Sequence, residues 1–177
     1  EGGWRPRMLF YCRDLFLGDN EDTLIAQCRM AGVDLLDCSA AVFQKLSYRD
    51  RPDGLLAVAP QQHRRLDDLP LPPRPLLLVM EQVEKPGNLG TMLRSADAGG
   101  VAATIVCDPR TDIFNPNAVR SSVGALFLLP VVEATTAETI AWLHARDIRI
   151  LAATPAGDKP HFGCDMTCGL AIAVGAE

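Results

Sequence analysis

Two different rhythms of apolar and polar positions divide this chain. Up to about residue 60, short apolar runs alternate with helical stretches. Met8 to Cys12 predicts a strand, Asp22 to Ala31 a helix closed by Gly32, and Val33 to Asp37 a second strand. Ser39 then caps a short helix through Leu46, and the Asp53-Gly54 turn leads into a third strand, Leu55 to Ala59. Residues 1–60 therefore form a small α/β module. The next stretch breaks the rhythm: Pro60, Pro70, Pro72, Pro73 and Pro75 fall there with Arg64, Arg65, Asp67 and Asp68. Residues 61–75 are expected to be an extended linker, because repeated prolines oppose helix and sheet alike. From residue 76 to 177 strands alternate with helices. Strands are predicted at 76–81, 102–107, 126–132, 148–153 and 169–175, and helices at 89–99, 115–124 and 136–146. Thr135 and Glu138 stand at capping-box spacing before the last helix. Such alternation predicts an α/β domain with a mostly parallel sheet covered on both faces.

The totals narrow the picture. A chain of 177 residues suffices for one sizeable domain or two small ones. No apolar run approaches the roughly 20 residues that cross a bilayer, and no signal-peptide pattern opens the chain. The expected location is the cytoplasm, with an organelle matrix as the alternative and no membrane partner. Cys12, Cys28, Cys38, Cys107, Cys164 and Cys168 form no framework, and most of them read as small core residues in a reducing compartment. Cys164 and Cys168 lack a second ligand pair nearby, so no metal is expected. His63, His144 and His161 share no local spacing with cysteines or carboxylates. The net charge of −5 argues against a wholly basic nucleic-acid binder but leaves room for a local basic strip. The chain opens on Glu1 and stops at Glu177, directly behind the apolar run from Leu170. The expectation is that residues are missing beyond the carboxyl end, and beyond the amino end as well.

Three clusters carry candidate chemistry. In the first, the apolar run Pro75 to Met80 feeds Glu81-Gln82-Val83-Glu84-Lys85-Pro86-Gly87-Asn88-Leu89-Gly90-Thr91-Met92-Leu93-Arg94, with Asn88, Gly90 and Arg94 at N-x-G-x-x-x-R spacing. Leu89, Met92, Leu93 and Ala96 recur at helical spacing and should face the sheet, which leaves Arg94 to turn toward a ligand edge. Gly87 and Gly90 permit a tight turn and close approach to a ligand, and Asn88 suits a cap or a partner for Arg94. The second cluster, Asn115 to Pro130, sets an Asn cap and Pro116 before a helix, then Arg120, Ser121, Ser122 and Gly124. The third, Val174-Gly175-Ala176-Glu177, puts a glycine at the carboxyl end of a buried strand, where parallel sheets host ligands.

Taken together, these clusters resemble motifs one, two and three of the SpoU/TrmH family of RNA ribose 2′-O-methyltransferases, of the trefoil-knotted SPOUT class. The second matches the family pattern R-x-S-x-G-A-x-F-x-x-P from Arg120 to Pro130. The first 60 residues look like that family's L30e-like RNA-recognition domain. Motif three in the family continues past the glutamate into a glycine-serine loop, whereas this chain stops first, so the resemblance implies an incomplete cofactor pocket in this piece.

The resemblance implies a homodimer that transfers a methyl group from S-adenosylmethionine to a ribose hydroxyl, in ribosomal RNA ahead of transfer RNA. It assigns the catalytic role to Asn88 and Arg94, Arg94 acting either as base or as stabiliser of the developing alkoxide. Cofactor contacts fall to Thr154, Pro155, Ala156, Gly175, Ala176 and Glu177. Arg120 and Ser122 are left to RNA, cofactor or the partner subunit. Two other classes stand beside this one: an RNA-binding relative without catalysis, and a nucleotide-binding enzyme using Gly87 to Gly90 as a phosphate loop. The last lacks both G-x-G-x-x-G and the P-loop lysine.

Overall fold

A computed structural model describes residues 3–157 and 159–175. The chain divides into two compact units, one running to Gln61 and the other starting at Gln62. The first unit contains β1 (Met8–Tyr11), α1 (Glu21–Met30), β2 (Asp34–Asp37), α2 (Ala40–Leu46) and β3 (Leu55–Val58). β1 lies in the centre, parallel to β2 and antiparallel to β3. Leu9 and Tyr11 of β1 pack with Ile25 of α1 and Val33 to form its core.

The second unit is built on five parallel strands. They are β4 (Leu76–Glu81), β5 (Ala103–Cys107), β6 (Val131–Ala134), β7 (Arg149–Ala152) and β8 (Leu170–Val174). Between them run α3 (Pro86–Ala98), α4 (Pro116–Ser122), α5 (Ala125–Leu128) and α6 (Thr136–His144). The spatial order is β6-β5-β4-β8-β7. β5 is buried at every position, which suits a central strand covered on both faces. On one face Leu77, Val79, Ile105 and Cys107 pack against Trp142, Leu143 and Ile148. On the other, Met80 and Val106 pack against Leu89, Leu93, Ala118 and Leu126. Each such aliphatic side chain contributes about 1.5–3 kcal/mol when fully buried. The connections from β4 step outward through β5 to β6, whereas β8 returns on the other side of β4. The strand order therefore reverses between β4 and β8, the place where open parallel sheets bind ligands.

Three expectations need correction. The predicted strand 126–132 is α5 followed by β6. Val123 (φ 50°) and Gly124 (φ 93°) both take left-handed backbone, end α4 and let the chain restart as one helical turn. Leu126 drops into the core from that turn, and strand geometry begins only at Val131-Val132, where two β-branched residues follow Pro130. The helix predicted from residue 89 starts at Pro86, whose fixed φ and missing N–H suit the first helical position. Asn88 accordingly sits inside the first turn, and Lys85 occupies the cap.

The third correction concerns residues 62–75, which are not a free linker. Arg64 bridges in parallel to Val132, Leu66–Asp68 forms a 3-10 turn, and Leu69 is buried with Leu77 and Leu143. Trp142 donates its indole N–H to Asp67 at 3.0 Å. Arg146 pairs with the same carboxylate at 2.9 Å while lying 4.4 Å over the Trp142 ring. The leucines between the prolines anchor the segment, a pattern that proline counting overlooks.

Candidate active site

All five strands deliver their carboxyl ends to one rim, and two of them end in the same unusual way. Gln82 follows β4 at φ 49° and donates its N–H to the Cys107 carbonyl at 2.9 Å. Asp108 follows β5 at φ 45° and donates to the Ala134 carbonyl at 2.9 Å. Left-handed backbone at a non-glycine residue costs on the order of 1–3 kcal/mol and clusters at functional sites. The chain then turns through buried Val83 into α3. A cavity of about 330 Å³ opens here, between Gln82–Lys85, Asn88 and Met92 of α3, and Gly175 behind β8. It adjoins the point where the strand order reverses.

The helix that carries Asn88 is held by close packing. A side chain on Gly90 would overlap the Ser121 hydroxyl and come within 2.6 Å of the Ser122 nitrogen and 2.7 Å of the Ala118 carbonyl. Gly90 therefore serves the contact between α3 and α4, where the sequence suggested approach to a ligand. The Ser121 hydroxyl donates to the Asn117 carbonyl of its own helix at 2.7 Å and lies 3.4 Å from the Pro86 carbonyl, so α4 touches the first turn of α3 there. Asn115 caps α4 as expected, accepting from the Asn117 N–H at 2.9 Å.

Comparison with known proteins settles the family. A profile of the SpoU rRNA methylase family matches residues 75–177, and one of the MRM3-like substrate binding domain matches residues 1–57. The chain belongs to the SpoU rRNA methylase family. Its relatives include the 23S rRNA (uridine(2479)-2′-O)-methyltransferase of Streptomyces viridochromogenes, 30% identical over 168 residues, 94% of this chain and 58% of that protein. Another is the 23S rRNA (guanosine-2′-O-)-methyltransferase RlmB of Escherichia coli, 35% identical over 130 residues, 70% of this chain and 54% of that protein. The crystal structure of the SpoU methyltransferase AviRb from Streptomyces viridochromogenes with the cofactor AdoMet superposes with a TM-score of 0.87 at 28% identity. That match covers 99% of this chain and 68% of AviRb. The chain thus spans under two thirds of the length of these curated relatives.

Within this SpoU domain the rim carries further polar groups that the motifs did not single out. The Thr136 hydroxyl donates to Asp108 at 2.6 Å, and its N–H donates to the same oxygen at 3.2 Å. Those two bonds hold the Asp108 carboxyl below its ordinary pKa. Glu81 lies 3.5 Å from the same hydroxyl. Beneath them, burial pushes the Cys107 thiol up, and it donates to Thr139 at 3.2 Å. In the sequence Glu81 and Asp108 share one signal: an acid or amide stands where an apolar strand stops.

The predicted site residues fare unequally. Asn88 and Gly175 meet at the rim cavity. Thr154, Pro155 and Ala156 form an exposed turn after β7 on the same rim, with the Ala156 N–H on the Thr154 hydroxyl at 3.3 Å, and do not line that cavity. Ala176 and Glu177 lie outside the described residues. Arg94 and Arg120 are exposed and form no ion pair among the described residues. Arg94 does not line the cavity. Ser122 departs from expectation: it is 0% exposed and donates to the Val119 carbonyl, so its hydroxyl is committed inside the helix. No group of three metal-ligating side chains occurs among the described residues, and none of their helices is long and apolar enough to cross a membrane.

Proposed function

We propose that the protein, in its complete chain, methylates a ribose 2′-hydroxyl of ribosomal RNA with S-adenosylmethionine as donor. One observation carries the reading: Asn88 and Gly175, from the first and third sequence clusters, line one cavity beside the strand-order switch of an all-parallel sheet. The 23S rRNA 2′-O-methyltransferases among the relatives and the AdoMet complex of AviRb support it.

The residues present fit such a donor. Gly175 keeps the rim open, because a side chain there would begin 3.3 Å from the Glu81 carboxylate. The donor supplies a methyl group activated on a sulfonium centre. Asn88 would orient the reacting groups and Gly175, Ala176 and Glu177 would hold the donor, with the Thr154–Ala156 turn on the same rim reached only by a part of it that extends beyond the cavity. Arg94 pairs with the neighbouring phosphate and stabilises the alkoxide as it develops.

Arg94 follows Asn88 by six residues, about 240° around the helix and about 9 Å along it. A side chain so placed serves a site completed by a second copy, which favours a homodimer. Arg120 then faces RNA or the partner subunit. The trefoil knot rests on family membership and on the return of β8 between β4 and β7. The first unit recognises the RNA, and the whole acts in the cytoplasm.

The test is Arg94→Ala in the complete chain, with ribose methylation mapped by mass spectrometry. Turnover should fall at least about 100-fold, the scale of losing one transition-state donor, with the affinity for S-adenosylmethionine unchanged. Wild-type turnover in the variant removes Arg94 from the mechanism.

A further inference from the structure

β4 delivers one carboxylate to the crevice where the strand order reverses, and the steps above make no chemical use of it. Glu81 is half-buried. One of its oxygens lies 3.5 Å from the Thr136 hydroxyl, but that hydroxyl gives its single proton to Asp108 at 2.6 Å. The contact therefore orients Glu81 without satisfying it. Among the described residues no lysine, arginine or histidine pairs with it. Its other oxygen, Oε2, lies beside Gly175, 3.3 Å from where the first atom of a side chain there would stand. β4 and β8 are hydrogen-bonded neighbours in fixed register, Met80 opposite Val174, so this approach is set by the sheet.

A partly desolvated carboxylate without a strong donor is unfavourable until a ligand brings one. We propose that Glu81 is a positioning residue for the methyl donor, its Oε2 accepting a hydrogen bond from that molecule's hydroxyl or ammonium groups. Thr136 and Asp108 act behind it and fix its direction. The inference rests on the function proposed above, and it adds to that contact set an acceptor held on a strand of the sheet.

Calorimetric titration of the complete chain tests it with two ligands, S-adenosylmethionine and S-adenosylhomocysteine. Both carry the hydroxyl and ammonium donors, and only the first carries the sulfonium charge. Glu81→Gln should weaken both by about tenfold, the scale of a hydrogen bond to a charged acceptor. Thr136→Val, which keeps the carboxylate but releases its anchor, should weaken both by a smaller factor, and the unfolding midpoint of each ligand-free variant confirms that it folds. Undiminished affinity in a folded Glu81→Gln protein overturns the proposal. A loss confined to S-adenosylmethionine also overturns it, because charge at sulfur would then be the cause. Should Glu81→Gln not fold, undiminished affinity in folded Thr136→Val overturns it instead. Failure of the wild type to bind either ligand removes the functional reading itself, an outcome separate from the other three.

Discussion

The two rims of the five-stranded sheet differ in a way that volume alone misreports. At the amino rim the space is larger, a cavity of about 640 Å³ between Leu69–Pro75 and the Ile148 and Thr167–Gly169 stretches. The cavity at the carboxyl rim measures about 330 Å³. Yet the backbone groups at the amino rim already satisfy one another. Leu170 donates to Pro75 and Ala102 donates to Leu76, each at 2.8 Å, and Arg149 donates to Gly169 at 3.0 Å. Arg146 is engaged by Asp67, and Arg149 faces Asp165 at 3.7 Å. The carboxyl rim carries two left-handed non-glycine residues, Gln82 and Asp108, against one, Asp147, beside the amino-rim cavity. It also holds the start of a 13-residue helix with its positive dipole end and, among the described residues, a carboxylate without a cation. Unspent polar capacity, more than strain or empty space, sets the carboxyl rim apart.

The comparison can be broken at either edge. The largest effect is expected from Gly90→Ala. Its new methyl group meets backbone at 2.6 and 2.7 Å, so α3 must separate from α4 at a cost on the order of 3 kcal/mol. Chemical denaturation should show that loss, with methylation lost as Asn88 moves. Unaltered stability would mean that the two helices are not locked.

A smaller effect, visible only through pH, is expected at Asp108. Its folded pKa is lowered by the Thr136 hydroxyl and N–H. Its stabilisation is therefore complete above the ordinary carboxylate range, near pH 4, and fades as pH falls through the folded value. The gap in thermal midpoint between wild type and Asp108→Asn should be widest near neutrality and should close in acid. A gap that is constant with pH would contradict the assignment. Glu138 and Asp165 are lowered in the same direction, so only the difference between the two proteins is informative.

The smallest effect belongs to the amino rim. Thr167→Trp should fill its exposed groove and leave donor affinity and methylation within about twofold, as for other surface substitutions. A loss of donor affinity there would reverse the roles given to the two rims.

Much of the framework was legible because buried parallel strands advertise themselves. Leu76–Glu81 stands where its uninterrupted apolar run placed it, and β5 differs from expectation only by Ala102. The apolar run at Leu126–Leu129 has no period to separate strand from helix, and only backbone geometry at Val123 and Gly124 resolves it. The placement of Asn88 and Gly175 at the carboxyl rim was legible because strand, turn and helix are local. The partner of Gly90 lies about 30 residues away on α4, and no local pattern encodes that contact. Ser122 shows the opposite error. A serine in a motif suggests an exposed donor, whereas the contact between α3 and α4 turns this one inward. Glu81 and Asp108 escaped notice because each is ordinary by itself; only the sheet sets them beside one another and Thr136.

The location of β8 has a consequence for biosynthesis. It leaves the ribosome after the other described strands, yet its place is beside β4, with β7 outside it. Until it arrives, β4 keeps one edge unpaired and β7 has no neighbour to join. A nascent chain stalled before Leu170 should therefore expose sticky strand edges and attract chaperones, and the cavity at the carboxyl rim is completed only once β8 is inserted.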